Sequence, residues 1–236
     1  MIKIVQPSIE DLPRDARTLL RTLRNVEIKK LVEGEYYYFG LEFWLQSLVG
    51  LCRGTVNSLA VHVNIDSIPL FSSANTCLWP VLCSAKEFGT TVFPVDVYCS
   101  NGKPESVRDY LRDFIDEVKV LEQSGYTDDS GKNYRVKLEA VICDAPAHAF
   151  VKYIKGLTAY DSCERCMQHG EWCGKVVLSN LKAPLRTDGR FSSQQDEAHH
   201  TGTSPFCDLQ CGIISSFPLD YTHSVSLGVA RRLINL

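Results

Sequence analysis

Two aspartates each close an apolar run. Asp66 ends Ser58-Leu-Ala-Val-His-Val-Asn-Ile-Asp66, and Asp144 ends Tyr134-Arg-Val-Lys-Leu-Glu-Ala-Val-Ile-Cys-Asp144. A carboxylate at the end of a buried strand is held rigidly at the rim of a sheet. Two of them on neighbouring strands can share a hard divalent cation such as Mg²⁺, which keeps several of its waters. Many phosphoryl-transfer sites are built this way, with a third carboxylate needed to hold a second ion for in-line attack on a phosphodiester. Taken singly, an Asp after a strand also reads as a helix N-cap, and Asp144 before Ala-Pro-Ala fits that role.

A second constellation follows. Cys163-Glu-Arg-Cys166 has the spacing with which two thiolates grip a tetrahedral Zn²⁺. One such pair is half a site. The remaining ligands would come from His169, Cys173, His199, His200, Cys207, Cys211 and His223. Two packed thiols, or a redox pair, are the other readings of this spacing. A redox pair usually opens a helix directly after a strand, whereas this one follows a glycine turn. Cys207 and Cys211 make a weaker second half-site. His223 stands beside an apolar helical run, where a satisfied core histidine is the ordinary reading and a zinc ligand the alternative.

The elements that must position these groups are legible from periodicity. Residues 11–33 read as a helix with Leu19, Leu20, Leu23, Val26 and Leu31 at helical spacing. Arg14, Arg17, Arg21, Arg24, Lys29 and Lys30 crowd the same segment, as a solvated face or as a phosphate contact. Residues 35–51, rich in Tyr, Phe and Trp, read as a buried helix. Strands are expected over 58–65, within 67–83 and over 91–99, the last near a sheet edge because of Pro94. Residues 105–123 form the clearest helix, ended by Gly125. A fourth strand covers 134–143, and Pro146 opens a helix to about residue 156. Beyond 157 the patterning stops. A stretch as long as 167–205 without regular structure is unusual unless something pins it. Residues 213–220 read as a short strand, and 221–235 as a helix.

Three strands, a helix, a strand and a helix match the ribonuclease H-like layout: an antiparallel meander followed by βα units, an α/β mixed sheet. A strand order of third, second, first, fourth places Asp66 beside Asp144. Three regions result: an N-terminal helical segment (1–57), a core with the two Asp (58–156), and a Cys/His-rich irregular region (157–236).

Composition bounds the partners. The chain has 236 residues, 44% hydrophobic and 22% charged, and a net charge of −3, which gives no overall electrostatic attraction to nucleic acid. No run of about 20 apolar residues could span a membrane, and the start lacks the apolar core of a secretion signal. The ten cysteines therefore read as free thiols in a reducing compartment, with a subset on metal.

Several blocks together resemble the catalytic region of eukaryotic cut-and-paste DDE transposases, most closely the CACTA (En/Spm-like) type. They are Asp11-Leu-Pro-Arg-Asp-Ala-Arg-Thr-Leu-Leu, Asn64-Ile-Asp-Ser-Ile-Pro-Leu-Phe-Ser-Ser, Leu78-Trp-Pro-Val-Leu, Ile142-Cys-Asp-Ala-Pro-Ala-His-Ala-Phe, Tyr160-Asp-Ser-Cys-Glu-Arg-Cys, Leu185-Arg-Thr-Asp and Phe217-Pro-Leu-Asp-Tyr-Thr-His-Ser-Val-Ser-Leu-Gly-Val. The resemblance implies a ribonuclease H-like fold, Asp66 and Asp144 as the first two catalytic carboxylates, and Mg²⁺ or Mn²⁺. It also implies Zn²⁺ on Cys163, Cys166 and His223, with Thr222 standing where the family has Met or His. The implied partners are DNA, both transposon ends and target, and a second copy of the chain; the implied location is the nucleus. The family's catalytic Glu lies on a helix beyond the His motif. Here 13 residues follow His223 and none is acidic; Glu139 and Asp220 do not occupy that place. No DNA-binding module precedes residue 11. The expectation is a transposase fragment, inactive alone. The alternative is a non-catalytic, zinc-stabilised module that binds nucleic acid or protein, and an ordinary ribonuclease H-like nuclease ranks last.

Overall fold

The computed structural model describes residues 27–52, 56–71 and 75–234. The expected N-terminal helix and its four arginines fall mostly outside these residues. What is described of that region departs from the helical reading. Lys29–Leu31 (β1) and Gly34–Tyr38 (β2) form an antiparallel hairpin, with β2 paired to a later strand. Only Leu41–Leu48 (α1), extended by a 3₁₀ turn over Val49–Leu51, is helical. Tyr36 is buried, and Tyr37 and Tyr38 are half-buried. Aromatic residues fit that pleated surface better than a helix.

The rest of the sheet follows the expected strands. Ser58–Ile65 (β3), the short Ile68–Pro69 (β4), Cys77–Ala85 (β5) and Val92–Ser100 (β6) form an antiparallel meander. The helix Val107–Ser124 (α2) then crosses over. Tyr126–Thr127 (β7) makes a hairpin with Asn133–Ile142 (β8), and β8 pairs parallel to β3. The spatial order is β1-β2-β6-β5-β3-β8-β7, with β4 paired to β5. The molecule is thus α/β with a mixed sheet, and the meander-plus-crossover order places β3 and β8 side by side.

One expectation about this sheet is corrected. β6 is an interior strand between β2 and β5, although it carries Pro94. The ladder slips there: Val81 faces Asp96 but Leu82 faces Pro94. A proline without an N–H is tolerated at such a bulge, and the freed Pro94 carbonyl accepts from Trp44 Nε1 at 2.6 Å.

Leu59, Val61, Val63 and Ile65 form the buried face of β3. The apolar stripe of α2, from Val107 through Phe114 to Leu121, is buried with them in one core. Burying such side chains contributes about 1.5–3 kcal/mol each. Ser106 caps α2 through its Oγ, which accepts from Asp109 N at 3.1 Å. Gly125 ends the helix at φ 73°, and a Cβ there would stand 2.6 Å from the Tyr134 carbonyl oxygen. Glu117 of α2 serves the hairpin side: its carboxylate accepts from Leu41 N at 2.6 Å and Glu42 N at 3.0 Å, capping α1. Polar atoms are stranded in this core, the Tyr36 hydroxyl, Trp79 Nε1 and the Asp96 carboxylate among them. Asp96 is fully buried, and neither carboxylate oxygen has a hydrogen-bond partner among the described residues. The Tyr36 hydroxyl and Val81 amide approach it without meeting hydrogen-bond geometry.

Beyond β8, Ala145–Lys152 (α3) is the last long element before the irregular region, which contains the small hairpin Glu171–Trp172 (β9) and Val176–Val177 (β10) and the short helix Asp188–Ser192 (α4). This region is pinned at several points. Ile154 bridges His200, and Cys166 bridges Leu185. Arg186 donates from Nε to the Cys163 carbonyl (2.9 Å) and from Nη1 to Asp196 (2.6 Å). Asp188 accepts from the amides of Ile214 and Ser215 and from the Ser215 hydroxyl. The expected strand over 213–220 is a run of turns instead; one carbonyl, Ser216 O, still accepts from Val141 N of β8 at 2.8 Å. Residues 222–234 are helical, as wide π-type turns over Thr222–Ala230 and an α-turn over Arg231–Ile234, and no side chain described there is buried.

Candidate functional site

Register brings the two aspartates level. Along the parallel pair, Ser58 faces Arg135 and Val61 faces Leu138, but His62 faces Ala140 and Asn64 faces Ile142. The bulge at Glu139 advances β8 by one residue. Carried two positions past the last pair, this register sets Asp66 level with Asp144, just beyond the ends of strands whose axes lie about 5 Å apart. Without the bulge, Asp144 would fall opposite position 67 and its side chain would leave the opposite face. The expected convergence of β3 and β8 is what the strand pairing gives. His62 Nε2 and Glu139 meet across the strands at 2.8 Å.

Each aspartate also has a local partner. Asp66 Oδ1 accepts from Ser67 N at 2.7 Å. Asp144 Oδ1 accepts from Ala147 N at 2.7 Å, so Asp144 is the N-cap of α3 as well as a rim carboxylate. The two sequence-based readings of Asp144 are compatible, because a capping carboxylate has a second oxygen. Burial pushes the Asp66 carboxyl up; the Ser67 amide offsets part of this, and the negative charge of Asp144 adds to it. A cation between the two would relieve that repulsion, so the pair fits a hydrated divalent ion held by two carboxylate oxygens and water.

Sequence reasoning set Asp220 aside, yet its charge also reaches Asp66. Asp220 lies just before the last helix. Its Oδ1 accepts from Thr222 N at 2.8 Å and its Oδ2 pairs with His223 Nδ1. That hydrogen bond, helped by the charges of Asp220, Asp66 and Asp144, holds the His223 imidazole above its ordinary range. His223 thus faces the acidic side of the site. Among the described residues, no three His, Cys, Asp or Glu side chains converge closely enough to hold a metal ion.

The Cys163 and Cys166 sulfurs are 3.3 Å apart. Burial works against ionisation of Cys166, but the Gln168 amide, the Cys163 thiol, the Gln168 side chain at 3.1 Å and Arg186 together hold its thiol below the usual range. That chemistry suits a soft cation such as Zn²⁺, and two thiolates supply half of its ligands. The other candidates are dispersed. His169 Nδ1 pairs with Asp161 at 2.7 Å at the surface, and Cys173 is exposed. Cys207 and Cys211 pack with the core, and burial pushes the Cys211 thiol up to about 12. His199 is fully buried; burial holds its imidazole down to about 4, and its Nδ1 meets the Asp161 carbonyl at 2.6 Å.

The residues between the two cysteines do more structural work than the cysteines. Glu164 meets Lys152 Nζ at 3.0 Å and His148 Nδ1 at 3.2 Å, both on α3. Lys152 is fully buried and lies 4.8 Å from the centre of the Phe217 ring. Burial raises the Glu164 carboxyl, but the His148 hydrogen bond and the Lys152 charge overcome it and hold the group at about 2. Arg165 donates to the Ile214 carbonyl at 2.9 Å and to the Phe217 carbonyl. The Cys163–Cys166 turn therefore clamps the helix that Asp144 caps to the segment that delivers Asp220. Sequence did carry a signal for this: His148 and Lys152 stand four apart in Ala145-Pro-Ala-His-Ala-Phe-Val-Lys, one face of an otherwise apolar helix.

A cavity of about 420 Å³ opens beside the acidic pair. Cys143 and Ala145, the neighbours of Asp144, line it, as do His148, Glu164, Asp220 and Ser224. Compared with known proteins, the chain matches no family model, no curated protein and no solved structure.

Proposed function

We propose that this chain is the metal-binding core of a DDE-type DNA transposase with a ribonuclease H-like sheet, working on DNA in the nucleus. One observation carries the reading: the parallel strands β3 and β8 pair as far as Asn64 and Ile142, a register that sets Asp66 and Asp144 level just beyond the strand ends, with Asp220 and His223 close enough to act on Asp66. Divalent metal bound there would neutralise charge on a phosphodiester undergoing in-line displacement. The chain's own part is positional. The β3–β8 pairing sets the spacing of the two carboxylates. The N-cap bond to Ala147 fixes the rotamer of Asp144. The clamp through Glu164 and Arg165 fixes the α3 terminus against Asp220. Because no third carboxylate completes the cluster among the described residues, strand cleavage by residues 1–236 alone is expected to be negligible.

The test is Mn²⁺ binding to the full chain. One weakly held ion should be bound and lost in both Asp66→Asn and Asp144→Asn, where Asn keeps the N-cap. Equal Mn²⁺ binding by both variants ends the reading. Robust Mg²⁺-dependent DNA nicking by the wild type, abolished in Asp66→Asn, would overturn the expectation of inactivity.

The 3.3 Å sulfur pair favours a second reading, a zinc-stabilised module without catalysis that binds nucleic acid or protein. Its mark is one Zn²⁺ per chain, lost in Cys163→Ser, in a protein that takes up no Mn²⁺ at the aspartates. No described helix is long and apolar enough to cross a membrane.

A further inference from the structure

The sheet has two faces, and the described helices cover one. The buried apolar residues of α1, α2 and α3 join Leu59, Val61, Val63 and Ile65 in a single core. The opposite face is apolar as well. Register sets Tyr37 beside Val97, Leu78 beside Cys99, and Asn64 between Leu82 and Ile142. All six apolar side chains in that set are half-buried, and none belongs to the core. Parallel strands are ordinarily covered on both faces, and β3 and β8 are parallel. Among the described residues, this second face has no such cover. Asp66 and Asp144 follow Asn64 and Ile142 by two residues, the parity that keeps a side chain on one face. The second face is therefore also the side of the two aspartates.

The chain itself carries a matching segment. Residues 1–26 precede Glu27, the first described residue, which leads into β1 at the edge of the sheet. At about 100° per residue, Leu12, Leu19, Leu23 and Val26 share one side of a helix over 11–26. Arg14, Arg17, Arg21 and Arg24 fall on nearly the opposite side. Such a helix is about 24 Å long. The neighbouring strands β2, β6, β5, β3 and β8 span about 19 Å, so the segment is long enough to cross them from the edge where it enters.

We propose that residues 11–26 dock as a helix on this second face, leucines against the sheet, and hold the four arginines outward as a contact for the DNA backbone beside the aspartates. Three features select this occupant: an apolar stripe for an apolar face, a length that fits the sheet, and a tether at the adjoining edge. The arginine row rests on the phosphoryl-transfer reading; the docking does not.

The test uses the full chain with Leu23 replaced by the photo-reactive residue p-benzoylphenylalanine. After irradiation, intramolecular cross-links to the peptides bearing Leu82 or Val97 are expected. A cross-link to a second copy, to a helix of the core face, or to nothing would overturn the docking. A second measurement does not depend on cross-linking. Leu19→Ser with Leu23→Ser uncovers the face, so binding of anilinonaphthalene sulfonate should rise severalfold while the core keeps its cooperative melt. Unchanged dye binding would also overturn the docking. Arg17→Ala with Arg21→Ala should leave the cross-link intact and lower the salt slope of duplex-DNA binding by about two. Equal DNA affinity in that variant, or no binding by the wild type at low salt, would overturn the arginine row. Failure of the Mn²⁺ titration with the cross-link intact would refute the phosphoryl-transfer reading and leave the docking standing.

Discussion

Replacing Glu164 by Gln removes the carboxylate that the buried Lys152 ammonium contacts at 3.0 Å. The Glu164 carboxyl is held at about 2 against an ordinary 4.5, a difference worth about 3 kcal/mol. The partner tells a less favourable story: burial leaves the Lys152 ammonium below its ordinary range in spite of Glu164. The pair as a whole therefore stabilises the fold by less than the carboxyl alone suggests. Breaking it is a different matter, because a fully buried charge is left without its counter-ion, at about 3–5 kcal/mol. We take about 3 kcal/mol, since the Phe217 ring remains under the ammonium. At about 2–4 °C per kcal/mol for a chain of this size, the melting temperature should fall by roughly 6–12 °C. Adding Lys152→Met should recover at least half of the loss. Thermal and urea melts of the four proteins at pH 7 measure the coupling. Because the folded carboxyl titrates below its unfolded value, its contribution is complete above about pH 4.5 and fades as pH falls toward 2, so wild type and Glu164→Gln should converge there. A loss under about 1 kcal/mol at pH 7, or a double variant no better than the sum of the singles, would refute this account of the Cys163–Cys166 turn.

Burial holds the Asp96 carboxyl well above its ordinary range, so ionising it in the unfolded chain costs stability as pH rises through the range above 3.8. Asp96→Asn should stabilise the protein by about 1–3 kcal/mol at pH 8 and by much less at pH 3.5, read from urea midpoints. Gly125→Ala, at φ 73° and with a Cβ 2.6 Å from a backbone oxygen, should cost more than the usual 1 kcal/mol of a helix-end substitution. A Tm unchanged within 2 °C would show that the α2–β7 junction relaxes freely.

The central sheet was legible because its signals are local. β3 alternates cleanly over eight residues, α2 has a single apolar stripe with a serine cap and a glycine stop, and an Asp-Ala-Pro sequence opens α3. The level pairing of Asp66 and Asp144 was readable as topology, but the bulge at Glu139 that sets it was not, since register is a property of two strands at once. The β1–β2 hairpin reads as helix in the sequence because a Tyr-rich run fits either period when taken alone. Pro94 suggested an edge, and only the slipped ladder shows how an interior strand accommodates it. In the candidate site, the cysteines drew attention through their spacing, whereas Glu164, Arg165 and Asp188 act through partners some 12–50 residues away, where sequence pattern is silent.

The bond from Val141 N to Ser216 O ties the edge of a central strand to a segment roughly 75 residues further along the chain. At ribosomal rates of roughly 5–20 residues per second, Val141 emerges some 4–15 s before that partner exists. A nascent chain in that interval carries a sheet with its carboxylate rim open, a state in which chaperone contact and proteolytic loss compete with completion.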